Sequence, residues 1–310
     1  MIEIYRKVDG ELQKIYKIAP NTWINVSNPT QEEIKLLSRE LNIDESYLID
    51  SLDIDERSRV EIDKDEGIIA IIFRMPYQNE EQEITTVPLS IILKGNYIIT
   101  ICSKENLVND ELLNQIKLKD FSPSNHSKII LFIFQKIVLL YLHYLKFINK
   151  AIEEGEKNLH KSMKNEELIK MLDIEKSLVY FTTSLRSNEL VLEKLKKINA
   201  LNLSEEDMEL LEEISIDNKQ AIEVAQIYSD ILSGMMDAFA SIISNNLNIV
   251  MKMLASITII LMIPTLITSF YGMNVKLPLE NSPHAYLIII LISIVLSLLG
   301  VVIFWKRECF

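Results

Sequence analysis

Reading back from Ser269 in alternating steps of four and three residues gives Ser269, Thr265, Met262, Thr258, Ala255, Met251, Asn248, Ser244, Ser241, Asp237, Gly234, Asp230, Ile227 and Glu223. A repeat averaging 3.5 residues keeps one face of a helix turned toward a shared axis, so several copies of such a helix can surround a centre line. Coiled coils fill that face with large apolar residues. This one carries carboxylates first, then amides, hydroxyls and thioethers, a series that suits a wet axis through which cations pass. Asp237 is thereby a candidate cation contact. The competing reading puts Glu223, Asp230 and Asp237 on a solvated helix face and lets Thr258, Thr265 and Ser269 bond carbonyls of their own helix. Directly after the stripe comes Tyr271-Gly272-Met273-Asn274.

The stripe needs a helix that enters a membrane, and the sequence supplies one. Residues 253–270 and 285–305 hold no Asp, Glu, Lys or Arg, and each run can cross a hydrocarbon core ~30 Å thick as a helix. The short connection, residues 271–284, makes them a hairpin with both outer ends on one side. Lys252 precedes the first span and Lys306 and Arg307 follow the second, while the loop carries Lys276 and Glu280; the positive-inside rule then places both termini in the cytoplasm. Trp305 is an interfacial anchor. A helix from about residue 216 to residue 270 would run roughly 80 Å at 1.5 Å per residue. Pro264 within it leaves one carbonyl without a donor, as happens where a helix bends or shows backbone to a pore.

The remainder of the 310 residues is large enough for a sizeable core. The segment Met1-Ile2-Glu3-Ile4-Tyr5-Arg6-Lys7 lacks the apolar core of a signal peptide, which agrees with a cytoplasmic body. A net charge of −12 argues against a nucleic-acid partner and is compatible with handling cations. The two cysteines, Cys102 and Cys309, form no thiolate metal motif. His126, His143, His160 and His284 show no metalloprotease spacing, and no phosphate-binding loop or nucleophile elbow accompanies them; an enzyme and an organic cofactor are not expected.

Short apolar runs in the first part read as strands: Thr22-Trp23-Ile24-Asn25-Val26, residues 67–73, and residues 89–101 broken by Lys94-Gly95-Asn96 as a hairpin would be. Between them Asn28-Pro29-Thr30-Gln31-Glu32-Glu33 offers a cap and first-turn carboxylates for a helix running toward Leu41. After Pro123 long helices are expected. Residues 129–145 are apolar enough to span, but Gln135, Lys136 and His143 interrupt them and favour a buried soluble helix. The expected organisation is an α+β domain over residues 1–121, a helical region and stalk over 122–252, a first span over 253–270, a loop over 271–284, a second span over 285–305 and a basic tail over 306–310.

The tetrapeptide at 271–274, placed directly after the first of two C-terminal spans, resembles the CorA family of divalent-cation channels and transporters. So do Ser233-Gly234-Met235-Met236-Asp237, residues 248–264, and Trp23-Ile24-Asn25-Val26 with Asn28-Pro29-Thr30. The resemblance implies a funnel-shaped homopentamer of the inner or plasma membrane, with the first span lining the pore and the second forming an outer ring. It implies a filter at Tyr271, Gly272, Met273 and Asn274, with Gly272 permitting tight backbone geometry. An apolar constriction falls on Met251, Leu254 and Met262, and polar pore positions on Asn248 and Thr265, with Thr258 and Ser269 on the same face. It also implies a regulatory Mg2+ site with Asp50 facing Glu213; the family residue at the latter position is Asp, so the carboxylate here is one methylene longer. Mg2+ is then both transported and regulatory, with Co2+ and Ni2+ as further substrates. A zinc transporter on the same scaffold, and a membrane-anchored sensor without transport, are the alternatives.

Overall fold

The computed structural model of the chain describes residues 1–8, 11–79, 83–104, 126–161, 165–198, 201–275, 277–278 and 283–307. They form two compact units, Met1–Ser233 and Gly234–Phe310. The expected boundary at residues 121 and 122 lies outside the described residues.

The first unit is built on one seven-stranded sheet of β1 (Ile2–Val8), β2 (Glu11–Ile15), β3 (Thr22–Ser27), β4 (Arg59–Asp63), β5 (Ile68–Gln78), β6 (Ile84–Lys94) and β7 (Tyr97–Cys102). Their order is β2-β1-β3-β7-β6-β5-β4. All neighbours are antiparallel except β3 and β7, where Ile24 pairs with Ile99 in parallel. The hairpin read at Lys94-Gly95-Asn96 is present: Lys94 pairs with Tyr97, and Gly95 takes φ 56°, a value that favours glycine. Strands β1 and β4 were not among the sequence expectations, although Arg59-Val60-Glu61-Ile62-Asp63 alternates apolar and charged residues as an edge strand does.

Both faces of the sheet are covered. On one, helices α1 (Gln31–Leu41) and α2 (Glu45–Ile49) pack Ile34, Leu37, Leu41 and Leu48 against Ile24, Val26, Ala70, Ile92 and Ile99. Helix α1 begins where the sequence places it: the Thr30 hydroxyl accepts from the Glu33 N–H at 3.2 Å, and the Glu33 carboxylate accepts from the Thr30 N–H at 2.8 Å. On the other face lie α3 (His126–Lys161) and α4 (Asn165–Ile198), with Phe73 stacked on Phe134 at 4.3 Å between ring centroids. Helix α3 contains the apolar run at residues 129–145; it is long and apolar enough to cross a membrane, yet 56% of its most apolar window is buried inside the first unit.

Helix α5 runs over 67 residues, Glu205–Tyr271. It starts earlier than the expected residue 216 because Ser204 and Asp207 cap it reciprocally, each backbone N–H reaching the other's side-chain oxygen at 3.2 Å. Its early turns bury Leu211, Ile214, Asn218, Ala221 and Ala225. Glu189 of α4 accepts from Ser215 at 2.7 Å and from Asn218 at 2.8 Å.

The second unit holds the later turns of α5 and helix α6 (Ala285–Lys306). The most apolar windows of α5 and α6 are only 6% and 11% buried. Tyr286 and Trp305, 73% and 74% exposed, stand near the two ends of α6. They are 19 positions apart, or roughly 29 Å along a helix, about the thickness of a hydrocarbon core.

Candidate functional site

Every position of the stripe from Glu223 to Ser269 is exposed on the chain, including Asp237, Asn248, Met251, Thr258, Met262, Thr265 and Ser269. Leu254, one position off the stripe, is exposed as well. The buried side of α5 within the second unit is a different one. Ser256 is buried and Ile260, Ile263 and Ile267 are partly covered, at steps of three and four residues. At about 100° per residue, Ser256 and Thr258 point roughly half a turn apart, and so do Ile263 and Thr265. The covered face meets α6 at Gly300, where an added Cβ would sit 3.4 Å from Ile263 Cδ1 and 3.6 Å from Ile260 Cγ1.

Three of the five hydroxyls of the stripe bond their own helix. Thr258 Oγ1 donates to the Leu254 carbonyl at 2.8 Å and Thr265 Oγ1 to the Leu261 carbonyl at 3.1 Å. Ser241 does the same with Asp237 at 3.0 Å. For Thr258 and Thr265, though not for Ser269, this is the competing interpretation, and it is compatible with the first. A hydroxyl has one donor and two lone pairs; with the donor fixed on the backbone, what Thr258 and Thr265 present outward is acceptor only. The water shell of a cation presents donors only, so the two match. Pro264 is partly covered, and the carbonyl that loses its donor there belongs to Ile260, on the side packed against α6 rather than on the stripe.

At the end of α5 the helix closes with the Gly272 N–H shared between the carbonyls of Thr268, at 3.0 Å, and Ser269, at 3.2 Å. The Met273 N–H reaches Phe270 at 3.2 Å, and Tyr271 Oη donates to the Pro278 carbonyl at 3.2 Å. Met273 and Asn274 are exposed. Within one chain this tight turn is made without positive φ at Gly272, which among the described glycines occurs at Gly67 and Gly95, and a Cβ at Gly272 would lie an ordinary 3.5 Å from the Ser269 oxygen. The last helical turn extends through this position, so no left-handed residue is needed within one chain. Lys276 and Glu280 fall outside the described residues.

Asp50 and Glu213 have separate surroundings. Asp50 opens a 3-10 turn, Asp50–Leu52, and its Oδ2 accepts from Arg59 Nη2 at 2.6 Å. The same guanidinium meets Glu61 Oε1 at 2.6 Å and also Glu56. Burial pushes the Asp50 carboxyl up from its ordinary pKa, with Arg59 pulling against it. Burial alone would lower Arg59, but Glu61, Glu56 and Asp50 outweigh it and raise it. Glu213 is exposed on α5, beside Glu212, which pairs with Lys196 of α4. Among the described residues no three His, Cys, Asp or Glu side chains gather to hold a metal within one chain.

Two arginines that the sequence expectations omit organise this region. Arg74 of β5 donates to the carbonyls of Ile54 at 2.8 Å and Glu56 at 2.6 Å, fixing the turn between Asp50 and β4. It also reaches the hydroxyls of Thr86, at 3.0 Å, and Ser184 of α4, at 3.1 Å. Asn188 clamps the Arg74 backbone at 2.9 and 2.8 Å and accepts from Ser58 at 2.7 Å. Burial draws the Arg74 pKa down. The partners on α4, Ser184 and Asn188, lie about 110 to 130 positions away in the chain, so no local spacing announces them.

The family model described as CorA-like Mg2+ transporter protein matches residues 19–307. The cobalt/magnesium transport protein CorA of Methanocaldococcus jannaschii is 32% identical over 286 residues, covering 91% of this chain and 89% of that protein. The complete structure of the CorA magnesium transporter from the same organism superposes with a TM-score of 0.86 at 30% identity, over 99% of this chain and 98% of that one. The cytoplasmic domain of ZntB from Vibrio parahaemolyticus shares the fold at a TM-score of 0.63 and 14% identity, over 78% of this chain and 98% of that one.

Proposed function

The chain belongs to the CorA family of Mg2+ transporter proteins, and on that premise we propose that five copies surround a pore admitting Mg2+, with Co2+ and Ni2+ as further substrates. The observation that carries this reading is the half-turn separation on α5 between the oxygen-bearing stripe and the face covered by α6. Inside a bilayer a polar stripe must avoid lipid. A ring of copies with the stripe inward meets that requirement and leaves α6 on the lipid side. Both termini are cytoplasmic in this assembly.

Mg2+ gives up its water reluctantly, so the pore works on a hydrated ion. A ring of Asn274 side chains and neighbouring carbonyls accepts hydrogen bonds from that water shell at the outer mouth, and Thr265, Thr258 and Asn248 continue the series inward. Met251, Leu254 and Met262 form the constriction that closes by excluding water. An inside-negative potential favours entry of a doubly charged ion by about 4.6 kcal/mol per 100 mV, twice the single-charge value. Asp237 gathers the ion on the cytoplasmic side.

Regulation by intracellular Mg2+ is assigned to Asp50 together with Glu213 of a second copy. The Asp50 carboxylate fits a cation, since it already holds the Arg59 guanidinium. A divalent ion bridging two copies there favours the closed state, and its loss leaves like charges that loosen it.

The test is Mg2+ influx into proteoliposomes loaded with a Mg2+-sensitive dye under an inside-negative potential, with Co2+ and Zn2+ in parallel. The expected result is wild-type Mg2+ flux that Asn274→Ala abolishes while the assembly remains intact. Flux of Zn2+ alone, following a proton gradient, would make the protein a zinc transporter. Intact assemblies that pass no ion would leave a membrane-anchored sensor.

A further inference from the structure

We infer that Arg59 is a built-in rival of the regulatory cation: it occupies an oxygen-lined recess at Asp50, and a divalent ion enters only by displacing it. This rests on the proposal above that Asp50 holds a regulatory Mg2+.

Three carboxylates converge on one guanidinium, Asp50 on Nη2 at 2.6 Å, Glu61 on Nε at 2.6 Å and Glu56 on Nη1. One positive charge facing three negative ones leaves the group short of cation by two charges, and a divalent ion corrects that better than a monovalent one. A second feature points the same way. Ser90 of β6 lines the same recess as Tyr47, Asp50, Arg59 and Glu61, over a floor of Ala70 and Ile72. It is 1% exposed, and its hydroxyl has no hydrogen-bond partner among the described residues. A guanidinium has only donors to offer, and each of its three nitrogens is turned to a carboxylate rather than to Ser90. With Arg59 withdrawn, the recess presents the Asp50 and Glu61 carboxylates and the Ser90 hydroxyl, hard oxygens of the kind that Mg2+ and its waters take.

The exchange is easy to drive. The Arg59 and Asp50 side chains are 32% and 33% exposed, so their attraction is screened and the guanidinium can swing to water at small cost. When the ion leaves, Arg59 recaptures Asp50, and the apparent affinity for Mg2+ is reduced by the fraction of time the recess is closed.

The experiment is a calorimetric titration of MgCl2 into the full-length protein in detergent, with thermal melting to establish folding. Five variants accompany the wild type: Asp50→Asn, Arg59→Gln, Arg59→Lys, Arg57→Gln and the double variant Asp50→Asn/Arg59→Gln. Arg57 is exposed, two positions from Arg59 and in no ion pair among the described residues, so it controls for removal of one positive charge. Arg59→Gln is expected to tighten Mg2+ binding about tenfold, Arg57→Gln by about twofold at most through long-range charge. Arg59→Lys, which keeps the charge and loses the planar fork, should fall between. The gain must vanish in Asp50→Asn/Arg59→Gln, because the two act at one place. If Arg59→Gln binds no more tightly than Arg57→Gln while Asp50→Asn weakens binding, the rivalry is refuted and the regulatory site stands. If Asp50→Asn leaves the titration unchanged, the site itself is refuted.

Discussion

The two units treat their polar atoms in opposite ways. In Met1–Ser233 polar groups reach across the chain: Arg74 ties β5 to the turn after α2 and to α4, and Trp23 Nε1 donates to Thr100 at 3.0 Å, which donates to Asn25 at 2.9 Å. In Gly234–Phe310 the hydroxyls of Thr258, Thr265 and Ser293 bond carbonyls four residues back. Apolar groups reverse likewise, with Phe73, Phe134 and Ile71 sealed in the first unit and Leu261, Met262 and Leu291 more than 60% exposed in the second. The first unit meets its needs with its own atoms. The second satisfies its backbone internally and leaves its large apolar side chains exposed, an arrangement that suits a bilayer.

The largest effect that tests this contrast is expected at Arg74. Arg74→Met keeps the bulk and removes the donors to the carbonyls of Ile54, Glu56 and Thr86. Losing the donors to two part-buried carbonyls and one exposed carbonyl should cost about 3 kcal/mol, read as a lower midpoint in urea or heat for the full-length protein in detergent. A wild-type midpoint would contradict the idea that the first unit depends on its cross-chain polar network.

A smaller effect belongs to the hairpin. Gly300→Leu pushes a branched side chain into Ile260 and Ile263, at an expected cost of about 1–3 kcal/mol. Gly300→Ala meets only the 3.4 and 3.6 Å contacts and should be tolerated. Equal thermal stability of the two variants would mean that α5 and α6 are not held by this approach.

The smallest effect is an absence of reaction. Burial raises the Cys102 thiol to about 11, so at pH 8, three units lower, only about one thiol in a thousand is the reactive thiolate. Iodoacetamide should leave the Cys102 peptide unmodified in the native protein and alkylate it in urea, with labelling rising toward pH 11 for as long as the fold survives. Rapid native labelling at pH 8 would show that the interior of the first unit is not sealed.

Local signals carried much of this fold from sequence alone. Thr30 and Glu33 announce α1, Lys94-Gly95-Asn96 the turn between β6 and β7, and the interrupted run at residues 129–145 a helix that hides in the body. The stripe on α5 was legible because a helix repeats, and its exposure at every position follows that repeat. What was not legible depends on groups that meet through the fold. Arg59 sits in a charge-rich segment that reads as solvated surface, and Arg74 in a strand that reads as apolar. The capping pair Ser204 and Asp207 was readable in principle, and it extends α5 eleven positions before residue 216.

The hydroxyls fixed on the backbone of α5 have one more consequence. A group hands a proton along a chain of waters only if its hydrogen is free to leave and to be replaced, and those of Thr258 and Thr265 are held by Leu254 and Leu261. From Ser241 to Ser269 the stripe contains no group that ionises near neutral pH. Those two threonines therefore add no stepping stone for protons along the stripe.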